Sequence, residues 1–268
     1  MVKPVATMRA GNLALNVYES RKEMGKAAAE DVARRLNALA AEHETVPVIF
    51  ATGDSQRATL EALTAREDVP WDKVIGFHMD EYLGIPEDHP ASFRKYLREY
   101  LTSRAPQLRF YPVMGSDPDP AKVCREYAEL LGKHRPLLCL LGIGENGHLA
   151  FNDPAEADFH DPEVLKVVTL DAACRQQQVN EGWFPSLEAV PRQAITLTIP
   201  TLMRVPELFA SVPGSRKAHI VRRTVEEPVS TQCPATIMRT HPNATAYLDR
   251  DSAAELTDHL RRSEGASS

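Results

Sequence analysis

Three short stretches concentrate residue types that bind anions or move protons: ATGDSQ (51–56), HMDEYLG (78–84) and GIGENGHLAFNDP (142–154). In the first, an apolar run ends at Gly53, and Asp54 or Ser55 can cap a following helix. Exposed amides and the helix dipole make such a turn a seat for phosphate, with the Thr52 and Ser55 hydroxyls as further donors. The same pattern is also ordinary turn chemistry, and the Asp54 carboxylate repels a phosphate unless it points away. In the second stretch Asp80 and Glu81 are adjacent, so on extended chain they face opposite ways: one into a crevice, the other into structural hydrogen bonds. Alone, this stretch reads first as a capping or turn-forming acidic pair and only second as catalytic. The third is the strongest. Gly142, Gly144 and Gly147 permit tight backbone and close ligand approach, and His148 stands near Glu145, Asn146 and Asp153. A histidine oriented by a carboxylate carries protons near neutral pH; the alternative is a turn histidine satisfied by backbone. Further on, PGSRKAHIVRR sets Arg216 and Lys217 where a turn enters a helix, and a lysine there can meet an anion as a point charge, whereas Arg222 and Arg223 read as a solvated face.

These stretches need a scaffold. Ser20 followed by Glu23 is a capping-box spacing, and Met24, Ala28, Val32, Leu36 and Leu39 share one face of the helix it opens. TVPVIFATG then reads as a strand buried on both faces, SQRATLEALTA as a helix, and KVIGFHM (73–79) as the next strand. Helices follow around ASFRKYLREYL and DPAKVCREYAELLGK, then a strand at LLCLLGIG, further strands at LKVVTL, AITLTI, ELFASV and ATAYLD, and a helix at SRKAHIVRRTV. Strands alternating with helices predict an α/β fold: a doubly wound, Rossmann-like, mostly parallel sheet with helices on both faces. Ligands bind such sheets in the crevice at the carboxyl ends of the strands, and each of the three stretches falls just past such an end. They are expected to meet there.

At 268 residues the chain suits one α/β domain, expected over 1–262, with SEGASS (263–268) as a flexible tail. A net charge of −6, from 31 basic and 37 acidic residues, leaves no footprint for nucleic acid or an anionic membrane surface. The four cysteines, Cys124, Cys139, Cys174 and Cys233, form no CxxC pair or metal-ligand cluster and read as thiols of a reducing compartment, the cytoplasm. The apolar run LALNV is too short for a signal segment or membrane span. No metal or cofactor is implied. The expected partner is a small molecule, and nothing in the sequence decides for or against a homo-oligomer.

From ATGDSQ through HMDEYLGIPEDHPASF, GIGENGHLAFNDP and VPGSRKA to HPNATAYLD, the chain resembles the glucosamine-6-phosphate deaminase (isomerase) family, relatives of the 6-phosphogluconolactonases. The lactonase branch carries an aspartate-glutamate-arginine triplet where this chain has Asp80, Glu81 and Tyr82, and GHLAFNDP follows the deaminase pattern. The resemblance implies conversion of an amino-sugar 6-phosphate and water to a ketose 6-phosphate and ammonia. It implies Asp80 as the carboxylate moving a proton between C2 and C1, His148 as the group assisting ring opening, Thr52, Gly53 and Ser55 as the phosphate loop, and Lys217 as the phosphate lysine. The chain departs from the family at Asn146, commonly aspartate, and Asp153, commonly glutamate. It departs again at Asp54 and Gln56, usually glycine and proline, and no counterpart stands between Arg175 and Asn180 for the family's substrate-binding arginine. Asn146 is expected to hold the imidazole by a hydrogen bond, with Glu145 a source of the missing charge. The candidate site is thus Asp80, His148, Asn146, Asp153 and Glu145 for catalysis, with Thr52, Gly53, Ser55, Glu81, Gly147 and Lys217 for substrate binding. A lactone hydrolase on the same scaffold and a non-catalytic sugar-phosphate sensor are the alternatives.

Overall fold

A computed structural model describes residues 2–170, 172–180 and 182–256; the tail expected over 263–268 lies outside them. Ser20 caps α1 (Arg21–Glu42) by accepting the Glu23 amide at 3.3 Å, and the helix buries Met24, Ala28, Val32, Leu36 and Leu39 as its spacing requires. The fully buried run VPVIF forms β3 (Val46–Phe50), which leads through Gly53 into α2 (Asp54–Thr64). α1 crosses α2 at Gly25, where an added Cβ would stand 2.6 Å from the Ala58 Cβ, so only glycine lets the two helices approach this closely.

β4 (Val74–His78), β6 (Arg109–Tyr111), β7 (Leu138–Leu141), β10 (Glu207–Val212) and β11 (Ala244–Asp249) join β3 in an eight-stranded sheet completed by an N-terminal hairpin of β1 (Ala6–Ala10) and β2 (Leu13–Tyr18). Its order is β1-β2-β11-β10-β7-β3-β4-β6, and β1 alone runs antiparallel to its neighbour. Alternate residues feed two cores. Val48 and Phe50 pack with Met24, Leu36 and Leu60 of α1 and α2. Ile49 joins the opposite core with Tyr127 of α4 (Pro120–His134) and Ile220 of α7 (Ala218–Glu226). The α/β architecture with a mostly parallel, doubly covered sheet is as the sequence predicts.

Two features differ from the one-sheet expectation. LKVVT and QAITL, β8 (Leu165–Thr169) and β9 (Gln193–Leu197), do not enter the large sheet; with β5 (Asp80–Tyr82) they make a separate antiparallel sheet, β5-β9-β8. Periodicity marks a strand and is silent about its partner. The helix expected at ASFRKYLREYL is short, α3 (Phe93–Leu97), and widens into a π turn over Arg98–Thr102.

The end of β4 is clamped from α4. The Tyr127 hydroxyl accepts the His78 amide at 2.9 Å and lies 3.0 Å from the carbonyls of His78 and Tyr111, all buried or nearly so. Burial and the Arg94 charge push the His78 imidazole down to about 3, so it stays neutral and accepts the Val113 amide. Tyr127→Phe leaves the His78 amide without its acceptor, which costs about 1–3 kcal/mol. A lowered urea midpoint at unchanged slope is expected; an unchanged midpoint would deny the clamp its role.

Candidate active site

The sheet order reverses between β3 and β7: the chain proceeds outward through β4 and β6, then returns to the other side of β3. A crevice opens at the carboxyl ends of strands beside such a switch. Here it is a cavity of about 400 Å³, whose wall includes Thr52, Gly53, Ser55, Asp80, His148 and Lys217. That size suits a small-molecule ligand. The three stretches do meet.

At the β3 end, Gly53 takes φ +92° as N-cap of α2, a conformation natural to glycine. The Gln56 side chain donates from Nε2 to the Leu141 carbonyl at 2.8 Å, tying the helix start to the end of β7. Gly142 must be bare there, since a Cβ would stand 2.9 Å from the Ser55 Oγ. Tyr96 donates its hydroxyl to the Gly53 carbonyl at 2.8 Å. Lys217 comes from the loop after β10, where the Gly214 amide rests on the Asp249 carboxylate at 2.9 and 3.0 Å.

Asp80 and Glu81 leave β4 in opposite directions. Asp80 faces the cavity at 6% exposure; burial and then the Glu81 charge raise its carboxyl well above the usual range. A desolvated carboxylate of that kind is a stronger base than an exposed one. Glu81 is not a substrate-binding residue in this geometry and does not line the cavity. Its buried carboxylate accepts the amides of Tyr82, Phe93 and Arg94 and the Ser92 hydroxyl, and pairs with the buried Arg94 guanidinium at 3.2 Å. Every lone pair is spoken for inside the protein.

In the glycine-rich stretch, His148 Nδ1 lies 2.9 Å from Asp153 Oδ1. A carboxylate only accepts, so Nδ1 carries the hydrogen and Nε2 is the ring atom left for a ligand. Gly144 supplies the floor under the ring: a Cβ there would come within 2.2 Å of His148 Cε1 and Nε2. Asn146 does not hold the imidazole. It donates to Asp153 Oδ1 at 2.7 Å and accepts the His148 amide at 3.0 Å, gripping the carboxylate and the backbone behind the ring. The acid on the histidine is Asp153, while Glu145, on the cavity wall, lies 3.5 Å from Arg216 Nε. Gly147 is also turned inward. At φ +89° it offers its carbonyl to the Ala235 amide, and a Cβ would meet Cys233 Sγ at 2.8 Å, so it seats the loop and not a ligand. Asn152 fastens the same loop to β9 through the carbonyls of Leu149 and Leu197, both at 2.8 Å.

Residues 19–247 match the sequence model of the family described as glucosamine-6-phosphate isomerases/6-phosphogluconolactonase. The chain belongs to this family. Among curated members, the glucosamine-6-phosphate deaminase of Geobacillus sp. (strain WCH70) is 36% identical over 219 residues, covering 80% of this chain and 85% of that one. The glucosamine-6-phosphate deaminase of Exiguobacterium sibiricum is 32% identical, covering 82% and 84%. Among solved structures, a monomeric glucosamine-6-phosphate deaminase superposes with a TM-score of 0.81 at 27% identity, over 92% of this chain and all (100%) of that one. The 6-phosphogluconolactonase of Thermotoga maritima shares the fold, with a TM-score of 0.72 at 19% identity over 88% of this chain and 99% of its own.

Several wall residues of this family member escape local sequence reasoning. Phe93, Tyr96, Phe151 and Trp183 line the cavity beside Asp80 and His148, gathered there by α3, the small sheet and the segment after α5 (Ala172–Asn180). Phe93 and Phe151 stack with ring centroids 5.6 Å apart. Phe93, Tyr96 and Phe151 lie in or near the two polar stretches of the sequence, whereas Trp183 stands well apart from both. Arg21, also on the wall, gave no local signal: it opens α1 thirty-odd residues before Thr52 and Gly53 and arrives by the Gly25–Ala58 crossing. Arg175 turns away from the cavity and caps the carbonyls of Leu187 and Val190, so α5 presents Gln178 to the ligand space. Among the described residues no helix is long and apolar enough to cross a membrane, and no group of His, Cys, Asp and Glu is built to hold a metal ion.

Proposed function

We propose that the protein is an amino-sugar 6-phosphate deaminase that takes glucosamine 6-phosphate, or a close relative such as galactosamine 6-phosphate, to a ketose 6-phosphate and ammonia. The observation that carries the reading is the convergence of a buried, basic carboxylate, a carboxylate-held imidazole and a helix-terminal anion seat on one sugar-sized cavity. The deaminases to which the chain is similar at 36% and 32% identity support it.

In this reading the phosphate sits at the start of α2, on the Gly53 and Ser55 amides with the Thr52 and Ser55 hydroxyls and Lys217. His148 Nε2 takes the proton of the anomeric hydroxyl and returns it to the ring oxygen, opening the pyranose to the aldehyde; Asp153 holds the ring throughout. Asp80 removes the C2 proton while the substrate ammonium gives up a proton to the C1 oxygen, forming the enolamine; Asp80 then delivers its proton to C1, leaving C1 a hydroxymethyl and C2 an iminium. Water adds at C2 and the C–N bond breaks, giving the ketone and ammonia. The reducing cytoplasm suggested by the scattered cysteines suits such an enzyme.

The test is an ammonia assay on pure protein with glucosamine 6-phosphate and galactosamine 6-phosphate, alongside acid release from 6-phosphogluconolactone. Ammonia from at least one amino sugar is expected. Lactone hydrolysis without ammonia would replace this reading by the lactonase one, and binding without any turnover by the sensor.

A further inference from the structure

We propose that Arg21 is the guanidinium that grips the substrate phosphate, and that Asp54 is its resting partner, which the phosphate displaces. The inference rests on the reading of the cavity as a sugar-phosphate site and assigns the phosphate contact that α5 does not supply.

Arg21 lines the cavity beside Gly53, Asp54 and Ser55. Its Nη1 lies 2.7 Å from Asp54 Oδ2, and its Nη2 donates to the Asp54 carbonyl, so the guanidinium is already parked at the helix end where the phosphate is expected. The Asp54 carboxylate occupies an anion's place there: Arg57 approaches its other oxygen at 3.5 Å. Burial tends to raise the Asp54 carboxyl, but the Arg21 hydrogen bond and the charges of Arg21, Arg57 and Arg216 outweigh it and hold it low. Asp54 is therefore ionised in a cationic patch. A phosphate with nearly two negative charges competes with one carboxylate for a planar donor fork, and such forks favour bidentate contact with phosphate. When Arg21 swings to the phosphate, Asp54 keeps Arg57, so neither charge is left alone. Asp54 then acts as a built-in competitor that sets how tightly the phosphate is held.

Both side chains are part-exposed, 38% for Arg21 and 52% for Asp54, so substitutions are compatible with folding, which melting curves would verify. The experiment combines steady-state kinetics on glucosamine 6-phosphate with calorimetric binding of inorganic phosphate to Arg21→Ala, Arg21→Lys, Asp54→Asn and the Arg21→Ala, Asp54→Asn double variant. Losing a charge-assisted contact corresponds to about 10- to 100-fold weaker binding, so Arg21→Ala is expected to raise KM and the phosphate Kd by that factor with kcat little changed. Arg21→Lys is expected to restore part of the loss. Asp54→Asn is expected to tighten phosphate binding several-fold where Arg21 is present and to do nothing in the double variant. Unchanged KM and Kd in Arg21→Ala, or equal weakening by Arg21→Ala and Asp54→Asn, would overturn the proposal and reduce the pair to a tie between α1 and α2. Arg21-dependent phosphate binding in a wild-type protein that deaminates nothing would uphold this inference while removing the functional reading. An active wild type indifferent to Arg21→Ala would do the reverse.

Discussion

Replacing Asp80 with asparagine is expected to abolish deamination almost completely while making the fold slightly more robust at neutral pH. The amide keeps the size of the carboxyl but cannot accept the C2 proton, and loss of a positioned base costs about 10²- to 10⁴-fold in kcat. The stability effect follows from the raised carboxyl of Asp80, caused by burial and by Glu81. Unfolded, the group ionises near the usual value of about 3.9; folded, it holds its proton to higher pH. Between those two values the native state binds more protons than the unfolded one, so wild-type stability falls as pH rises through that window. An asparagine does not titrate, so the melting temperature of the variant is expected to overtake that of the wild type as pH rises from about 4. For the same reason the acid limb of kcat/KM in the wild type belongs above the ordinary carboxylate range, since the base form must be free to act. Turnover near the wild-type rate in Asp80→Asn would take Asp80 out of the mechanism.

The second large effect is on folding. Glu81→Ala is expected to cost about 3–5 kcal/mol, because it leaves a buried guanidinium without its counter-charge. Arg94 is 3% exposed at its side chain and Glu81 not at all (0%). The same change strips the acceptor from the amides of Tyr82, Phe93 and Arg94 at the junction of β5 and α3. That junction sets Asp80 on one side and carries Phe93 and Tyr96 to the cavity on the other. Glu81→Gln, which keeps an acceptor but not the charge, is expected to fall between wild type and alanine. Denaturation midpoints read the series; a wild-type midpoint in Glu81→Ala would show the Arg94 pair to be dispensable.

These two neighbours mark how far the sequence can be read. Alternation alone says that Asp80 and Glu81 diverge, and they do, but which one faces the ligand depends on β5 pairing with β9, more than a hundred residues away. The central strands were legible because runs such as VPVIF are apolar on both faces. β1 was not, since ATMRA alternates between half-buried and exposed positions up to Ala10, as an edge strand does. His148 was legible from the glycines that clear space for it. The roles of Asn146 and Gly147 were not, because each is decided by a partner elsewhere: Asp153 seven residues on for one, Cys233 and Ala235 for the other. Arg21 shows the limit most plainly, since its place at the site depends on one helix crossing and on nothing in its own neighbourhood.

In the proposed mechanism Asp80 carries a proton from C2 to C1 of an amino-sugar phosphate. Conversion of glucosamine 6-phosphate in deuterium oxide, with ammonia counted and the ketose 6-phosphate examined by proton NMR, reads that transfer at the carbons themselves. One ammonia per ketose is expected, and at C1 of the product a hydrogen that came either from C2 or from solvent deuterium, with both products formed about 10²- to 10⁴-fold more slowly by Asp80→Asn. Ammonia released with the C2 hydrogen still in place, or released equally well by Asp80→Asn, would contradict it.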